Sequence, residues 1–304
     1  MPAGSRFGIR GYRSLDAMIL DSHIHIRNPW VNTADFSEKL RLAGVSGGIL
    51  ISLPPPEYRP NNDSFSSSER LDTLMAWRET TDNIYPFYWI DPMEHDALEQ
   101  VQSAADQGVM GFKVICDRFF PGDAGAMELF SEIARVNLPV LFHSGILWDG
   151  KPSSRYNRPS EFEALLEVDG LRFCLAHISW PWCDELIAVY GKFLNARTQS
   201  QDNKSIEMFV DTTPGTPPLY RKEALARLFT TGYDVENNVM FGTDSCAGNY
   251  NVKWAREWIQ RDRDIFAELQ VREETVNAVL GNNLRRFVGL IKEKPETRPL
   301  RSGE

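Results

Sequence analysis

Residues 20–26 read Leu20-Asp21-Ser22-His23-Ile24-His25-Ile26. In an extended strand successive side chains point to opposite faces, so His23 and His25 share one face. Leu20, Ile24 and Ile26 are then expected on the other, towards packed helices. A cation needs several ligand atoms converging within ~2.0–2.2 Å of one point, and two imidazoles fixed on one strand face supply half of that set.

Working outward, the apolar run at 19–26 is the first of eight. The others lie at 45–53, 84–90, 109–116, 139–144, 171–178, 207–212 and 239–244. Helix signals fall between them. Ser66 and Glu69 make a capping box ahead of Leu71, Leu74 and Met75. Asp123 precedes Met127, Leu129, Phe130 and Ile133, and Pro159 and Ser160 precede Phe162, Leu165 and Leu166. Gly44, Gly108 and Gly232 stand where a helix should stop before a strand. Eight strand–helix alternations predict an α/β fold with a parallel sheet closed into a (β/α)8 TIM barrel. Helical stretches at 252–269 and 275–290 add extra C-terminal helices. The expectation is one barrel over residues 1–304, with its core at about 19–290 and a flexible tail at 291–304. Two long loops, 54–65 and 147–158, should lie over the C-terminal mouth, where this fold builds its sites.

A length of 304 residues suits such a barrel, which takes ~250 plus insertions. The net charge of -9 argues against nucleic acid and anionic membrane as partners, since both select basic faces. No apolar run reaches the ~18 residues of a membrane span, and the first thirteen residues lack a secretory apolar core. None of the four cysteines forms a CxxC pair, and Cys174 sits in an apolar run. Reduced thiols and a cytoplasmic protein are the expectation.

Four of the five histidines fall at strand ends. His143 ends Val140-Leu141-Phe142-His143, His177 ends Phe173-Cys174-Leu175-Ala176-His177, and Asp244 ends Met240-Phe241-Gly242-Thr243-Asp244. A lone strand histidine is usually a hydrogen-bonded core residue. Four at one level of an eight-stranded pattern point instead to a shared site at the barrel mouth. His95, after Asp91-Pro92-Met93-Glu94, reads as solvated surface.

The order Asp-Ser-His-Ile-His, Phe-His-Ser-Gly, Ala-His-Ile-Ser-Trp-Pro-Trp and Gly-Thr-Asp-Ser resembles the amidohydrolase superfamily. The stretch from His177 to Glu185 and Gly281-Asn282-Asn283-Leu284-Arg285-Arg286-Phe287-Val288-Gly289-Leu290 resemble its amidohydrolase-related branch (amidohydrolase family 2), which also contains aminocarboxymuconate-semialdehyde and resorcylate decarboxylases. The resemblance runs over about residues 19–290. It implies His23, His25 and His143 as metal ligands, Asp244 as carboxylate ligand or base, and His177 as the residue that polarises substrate or binds a second metal. Lys113 matches the strand-four position where some members carry a carboxylated, metal-bridging lysine; a lysine pairing with an acid or binding substrate is the alternative. One divalent ion is expected, with Zn2+ favoured by the nitrogen-rich set.

Around the mouth, Arg118 is a candidate for holding a substrate carboxylate, and Trp89, Trp148 and Trp180 are candidates for stacking on a planar substrate. The catalytic pair would be Asp244 and His177 in a metal-dependent hydrolase acting on an amide, lactone or related C–N or C–O bond of a small molecule. Two alternatives stand beside it: a non-oxidative metal-dependent decarboxylase of a planar carboxylic acid, and a non-catalytic barrel that binds metal or ligand. A homo-oligomer is compatible with the sequence.

Overall fold

The computed structural model describes residues 18–58, 64–199 and 205–291. Most of the expected tail, residues 292–304, lies outside the described residues, as do 1–17 and part of the loop after the second strand. The parallel strands are β1 (Leu20–His25), β2 (Gly47–Ile51), β3 (Ile84–Trp89), β4 (Gly111–Val114), β5 (Val140–Phe142), β6 (Arg172–Leu175), β7 (Glu207–Asp211), β8 (Val239–Met240) and β9 (Ser245–Cys246). Their order is β8-β7-β6-β5-β4-β3-β2-β1-β9.

The last two strands are pieces of the eighth apolar run. β8 pairs with β7 and β9 pairs with β1, and between them Ser22 N–H donates to Phe241 O at 2.9 Å. The eighth run thus bonds both neighbours and the sheet curls into a TIM-barrel-like α/β fold. It is not the unbroken strand expected over 239–244. Asp244 takes a left-handed φ of 55°, which no strand residue adopts, and the chain turns there.

Helices α1 (Thr33–Ala43), α2 (Ser67–Arg78), α3 (Ala97–Asp106), α4 (Ala124–Arg135), α5 (Cys183–Gln199), α6 (Pro218–Thr230) and α7 (Val252–Glu268) form the outer layer. The Ser66–Glu69 capping box starts α2, and Gly44 at φ 75° ends α1. The expected helix at Pro159 forms as a tighter 3-10 helix, Pro159–Glu167.

Two apolar layers result. Ile24, Ile26, Leu50, Tyr88, Phe112 and Phe142 pack outward with the helices, while Ile49, Ile51, Phe87, Leu141, Cys174, Phe209 and Met240 fill the barrel. Leu20 belongs to the interior set, contrary to the expectation that it shares a face with Ile24. The reason is a bulge. Leu20 and Asp21 face Gly47 and Gly48, but Ile24 and His25 face Leu50 and Ile51, so β1 carries one extra residue and its alternation inverts.

After α7 come α8 (Glu273–Asn277), a π turn (Ala278–Asn282) and α9 (Asn283–Phe287). Leu284 and Phe287 enter the interior from the end where strands begin, with the Phe287 ring 5.0 Å from Phe209 and 6.0 Å from Phe87. That end is plugged, so the strands' C-terminal ends remain for a site. No helix among the described residues is long and apolar enough to cross a membrane.

Candidate active site

The bulge in β1 carries both histidines to the mouth. Their ring centroids are 5.0 Å apart. Asp244, turned by its left-handed backbone, brings Oδ1 to 3.3 Å from His25 Nε2 and 3.9 Å from His23 Nε2. Ligand atoms of His23, His25 and Asp244 all lie within 4.8 Å of one another. Two imidazole nitrogens and a carboxylate oxygen at that spacing form a donor set suited to a first-row divalent ion.

Asp211, at the end of β7, organises the histidines from behind and is fully buried. Its Oδ2 is 3.0 Å from His23 Nδ1. Its Oδ1 accepts from the backbone N–H of His177 at 2.9 Å, from the backbone N–H of Thr213 at 3.0 Å and from the Thr213 hydroxyl. Burial alone would raise this carboxyl, but the His23 bond, the neighbouring histidines and Thr213 hold it well below the usual carboxylate range. An ionised carboxylate only accepts, so His23 carries its proton on Nδ1 and leaves Nε2 bare. The same logic reaches His177. The Thr213 hydroxyl donates to Asp211, so Thr213 Oγ1, 2.9 Å from His177 Nδ1, accepts from that nitrogen. His177 also presents a bare Nε2. Although His23, His177 and Asp211 also have atoms within 4.8 Å of one another, the Asp211 oxygens are spent on these bonds. Asp211 thus orients the two imidazoles from behind, with its own oxygens engaged in these bonds.

A second buried acid ties β1 to the eighth run. Asp21 Oδ1 accepts from His23 N–H at 3.0 Å and Thr243 N–H at 2.9 Å, and Oδ2 accepts from Thr243 Oγ1 and from Tyr250 OH at 2.9 Å. Burial pushes its pKa up to about 6. Gly242 lets these strands meet: a Cβ there would lie 2.4 Å from Thr213 Cγ2 and 2.5 Å from Ser22 Oγ. The sequence reading passed over Asp21 and Asp211. The available signal was an acid closing an apolar run, Met208-Phe209-Val210-Asp211, as Asp244 does.

His143 stands beside His177, with ring centroids 4.9 Å apart, and its Nε2 is 3.2 Å from Ile146 O. It is at the mouth but outside the 4.8 Å group around Asp244. Burial, then His177 and Lys113, depress its basicity well below the ordinary histidine value. Burial also takes His177 down to about 4. Asp244, although partly buried, is held well below the carboxylate range by the His25 bond and the adjacent histidines. At neutral pH the cluster is therefore neutral imidazoles around ionised carboxylates.

Lys113 on β4 is buried, and its Nζ has no hydrogen-bond partner among the described residues. Burial lowers its pKa to about 8. Trp89 ends β3 with its ring 5.7 Å from His25. Arg118 is held between Asp91 and Asp117, so it has little net charge to offer a substrate carboxylate. Trp148 is 78% exposed on its loop, and Trp180 packs towards Tyr220 at 6.3 Å between the starts of α5 and α6. His95 is on the surface, as expected.

The amidohydrolase family model matches residues 68–290. That span begins after β1, so the reading of His23 and His25 rests on geometry. No curated protein matches the sequence. Among solved structures, the chain resembles 2,6-dihydroxybenzoate decarboxylase from Rhizobium, with a TM-score of 0.59 and 15% identity over 90% of this chain and 98% of that one. It also resembles a probable 2-pyrone-4,6-dicarboxylic acid hydrolase from Acinetobacter baumannii, with a TM-score of 0.55 and 11% identity over 89% and 99%. A third is dihydroxybenzoic acid decarboxylase from Polaromonas sp. JS666 with manganese and 2-nitroresorcinol bound, with a TM-score of 0.58 and 11% identity over 90% and 97%. At these identities the likeness is one of fold.

Proposed function

This chain belongs to the amidohydrolase family, and from that premise we propose that its barrel mouth is a metal-dependent active site hydrolysing an amide, lactone or related C–N or C–O bond of a small molecule. The observation that carries this is the Asp244 carboxylate, 3.3 Å from His25 Nε2 and 3.9 Å from His23 Nε2, with the outward nitrogen of His23 bared by Asp211. Zn2+ is the ion that set suits best; His23, His25 and Asp244 would hold it, and His143 would be a further ligand were its Nε2 turned from the Ile146 carbonyl. A divalent ion there supplies Lewis acidity, polarising a carbonyl and bringing a water's pKa towards neutrality.

The chain's own groups then move the protons. Asp244 is ionised and 35% exposed, so it can reach a water at the mouth and take its proton as that water attacks the carbonyl carbon. His177 has its Nδ1 proton committed to Thr213, so its Nε2 can only accept at the start of a cycle. The proton that Asp244 takes from the water is passed on to the leaving nitrogen or oxygen, with His177 Nε2 able to relay it, so both groups end the cycle as they began it. Stabilising a developing oxyanion by donation, the role expected from the sequence, would need that extra proton first.

Decarboxylation is the second reading, favoured by the same His177. Once protonated at Nε2, it could deliver that proton to a substrate carbon as carbon dioxide leaves. Product analysis separates the two. Incubating metal-loaded protein with lactones, cyclic amides and hydroxybenzoates should yield a new carboxylate with its alcohol or amine. Release of carbon dioxide with no new carboxylate would replace hydrolysis by decarboxylation. Metal binding without turnover across the panel would reduce the site to a binding one.

A further inference from the structure

Trp89 and Lys113 are register partners across β3 and β4. Register partners on parallel strands project to the same side of the sheet. Here that side is the barrel interior: Trp89 packs in the inner cluster beside His25, and the Lys113 charge acts on His23, His25 and His143. Both side chains are buried, and neither Lys113 Nζ nor Trp89 Nε1 has a hydrogen-bond partner among the described residues. The indoles of Trp77 and Trp258 are unpaired too, but those belong to the helix layer, away from the mouth. Arg70 and Arg172 each leave one nitrogen unpaired while others are bonded. Lys113 is the charged side chain there whose whole donor group lacks an acceptor.

A buried ammonium without an acceptor is costly, and proteins keep one where a counter-ion arrives. The nearby acids do not serve. Asp211 is spent on His23, His177 and Thr213, and Asp244 is engaged by His25. Arg118, the other candidate cation, is neutralised by Asp91 and Asp117. Beside this pair of donors the Tyr58 ring lies 5.1 Å from Trp89, and its hydroxyl donates to Ile115 O, so it offers an apolar face.

We propose that Lys113 Nζ and Trp89 Nε1 form an anion subsite that holds a carboxylate of the substrate, with the Trp89 and Tyr58 rings against its body. The substrates are then carboxylic acids of small, flat or ring-bearing molecules, and the β3–β4 side of the mouth orients them against His25 and Asp244. Calling the bound acid a substrate rests on the active-site reading above; the anion subsite itself does not.

The test is calorimetric titration of the metal-loaded protein with benzoate and with benzamide, its uncharged counterpart. The parent should bind benzoate at least about tenfold more tightly than benzamide. Lys113→Met should weaken benzoate by about 10- to 100-fold, leave benzamide unchanged, and keep the metal content and circular dichroism of the parent. Trp89→Phe, which retains a ring beside His25, should weaken benzoate about threefold or more, and serves alone if Lys113→Met does not fold. No benzoate binding, equal affinity for the two ligands, indifference of benzoate to both substitutions, or loss of metal from Lys113→Met would each overturn the proposal. A parent that binds no metal yet holds benzoate through Lys113 would sink the metal-dependent reading and leave the subsite standing. Metal and turnover intact, with benzoate indifferent to Lys113, would do the reverse.

Discussion

His23 Nδ1 lies 3.0 Å from Asp211 Oδ2, and that contact decides which nitrogen of His23 faces the mouth. Because Asp211 also holds the His177 backbone and, through Thr213, its ring, one buried carboxylate sets two imidazoles at once. Outer partners of this kind typically contribute 10- to 100-fold to metal affinity. Asp211→Asn keeps the shape but can present N–H to either ring. The expected result is a folded protein whose metal affinity falls by that order, measured by competition with a chromophoric chelator. Parent-like affinity would leave Asp211 a structural residue only.

Metal stoichiometry is the next expectation. Protein purified without chelators should carry one divalent ion per chain by elemental analysis, with zinc in the majority. Manganese, which the similar Polaromonas enzyme holds, is the outcome that would shift the assignment. His143→Ala should lower the occupancy if this imidazole, whose ring lies 4.9 Å from that of His177, turns its Nε2 from the Ile146 carbonyl to the ion. Unchanged occupancy would fix His143 in its present bond to Ile146 O and out of the ligand set. Two ions per chain, with extra mass on Lys113, would mean a carboxylated bridge.

The pH dependence of metal-stripped protein follows from the buried rings. Burial holds His177 at about 4, against an ordinary 6.5, and lowers His23, His25 and His143 as well. Between those values the unfolded chain takes up protons that the native state refuses, so stability falls as pH drops from about 6.5 towards 4. Asp21 acts in the opposite sense. Its pKa of about 6, against 3.8, means the native state keeps a proton the unfolded chain has released, a contribution lost as pH rises through 6. Four histidines outweigh one carboxyl, so the melting temperature should fall between pH 7 and pH 5 in calorimetric scans. A flat or rising midpoint over that interval would mean the native cluster accepts protons.

The barrel was legible in the sequence because strands buried on both faces must be continuous apolar runs, and eight such runs stand out between capping signals. His23, His25, His177 and Asp244 stood out as candidates because histidine is scarce in this chain and all four lie within or at the end of such runs. Leu20 was misplaced because a bulge is set by pairing: between the Asp21–Gly48 and Ile24–Leu50 pairs β1 holds one residue more than β2, and alternation within one strand cannot reveal it. Asp211 and Asp21 stayed hidden because their roles are defined by partners distant along the chain, His23 for the first and Thr243 and Tyr250 for the second. Arg118 looked available for the same reason, since its neutralising partner Asp91 sits on another loop.

Asp244→Asn should keep most of the metal and lose turnover. The backbone favours this substitution as a clean test, because Asp244 sits at φ 55° and asparagine is among the few non-glycine residues that tolerate left-handed geometry. The retained carbonyl oxygen can still approach His25 Nε2, and the histidines still hold an ion, though more weakly for the missing charge. What disappears is a carboxylate that is ionised and, at 35% exposure, open to the mouth, in contrast to the fully buried Asp211. An amide cannot accept a proton at neutral pH, so the base is lost while shape is nearly kept. General-base catalysis is worth about 10²–10⁴-fold, and kcat at saturating metal should fall by at least the lower figure. Circular dichroism and metal content measured on the same sample separate a lost base from a lost ion or fold. Activity within a few-fold of the parent, with metal bound, would take Asp244 out of the chemistry and leave it as a ligand and a turn residue.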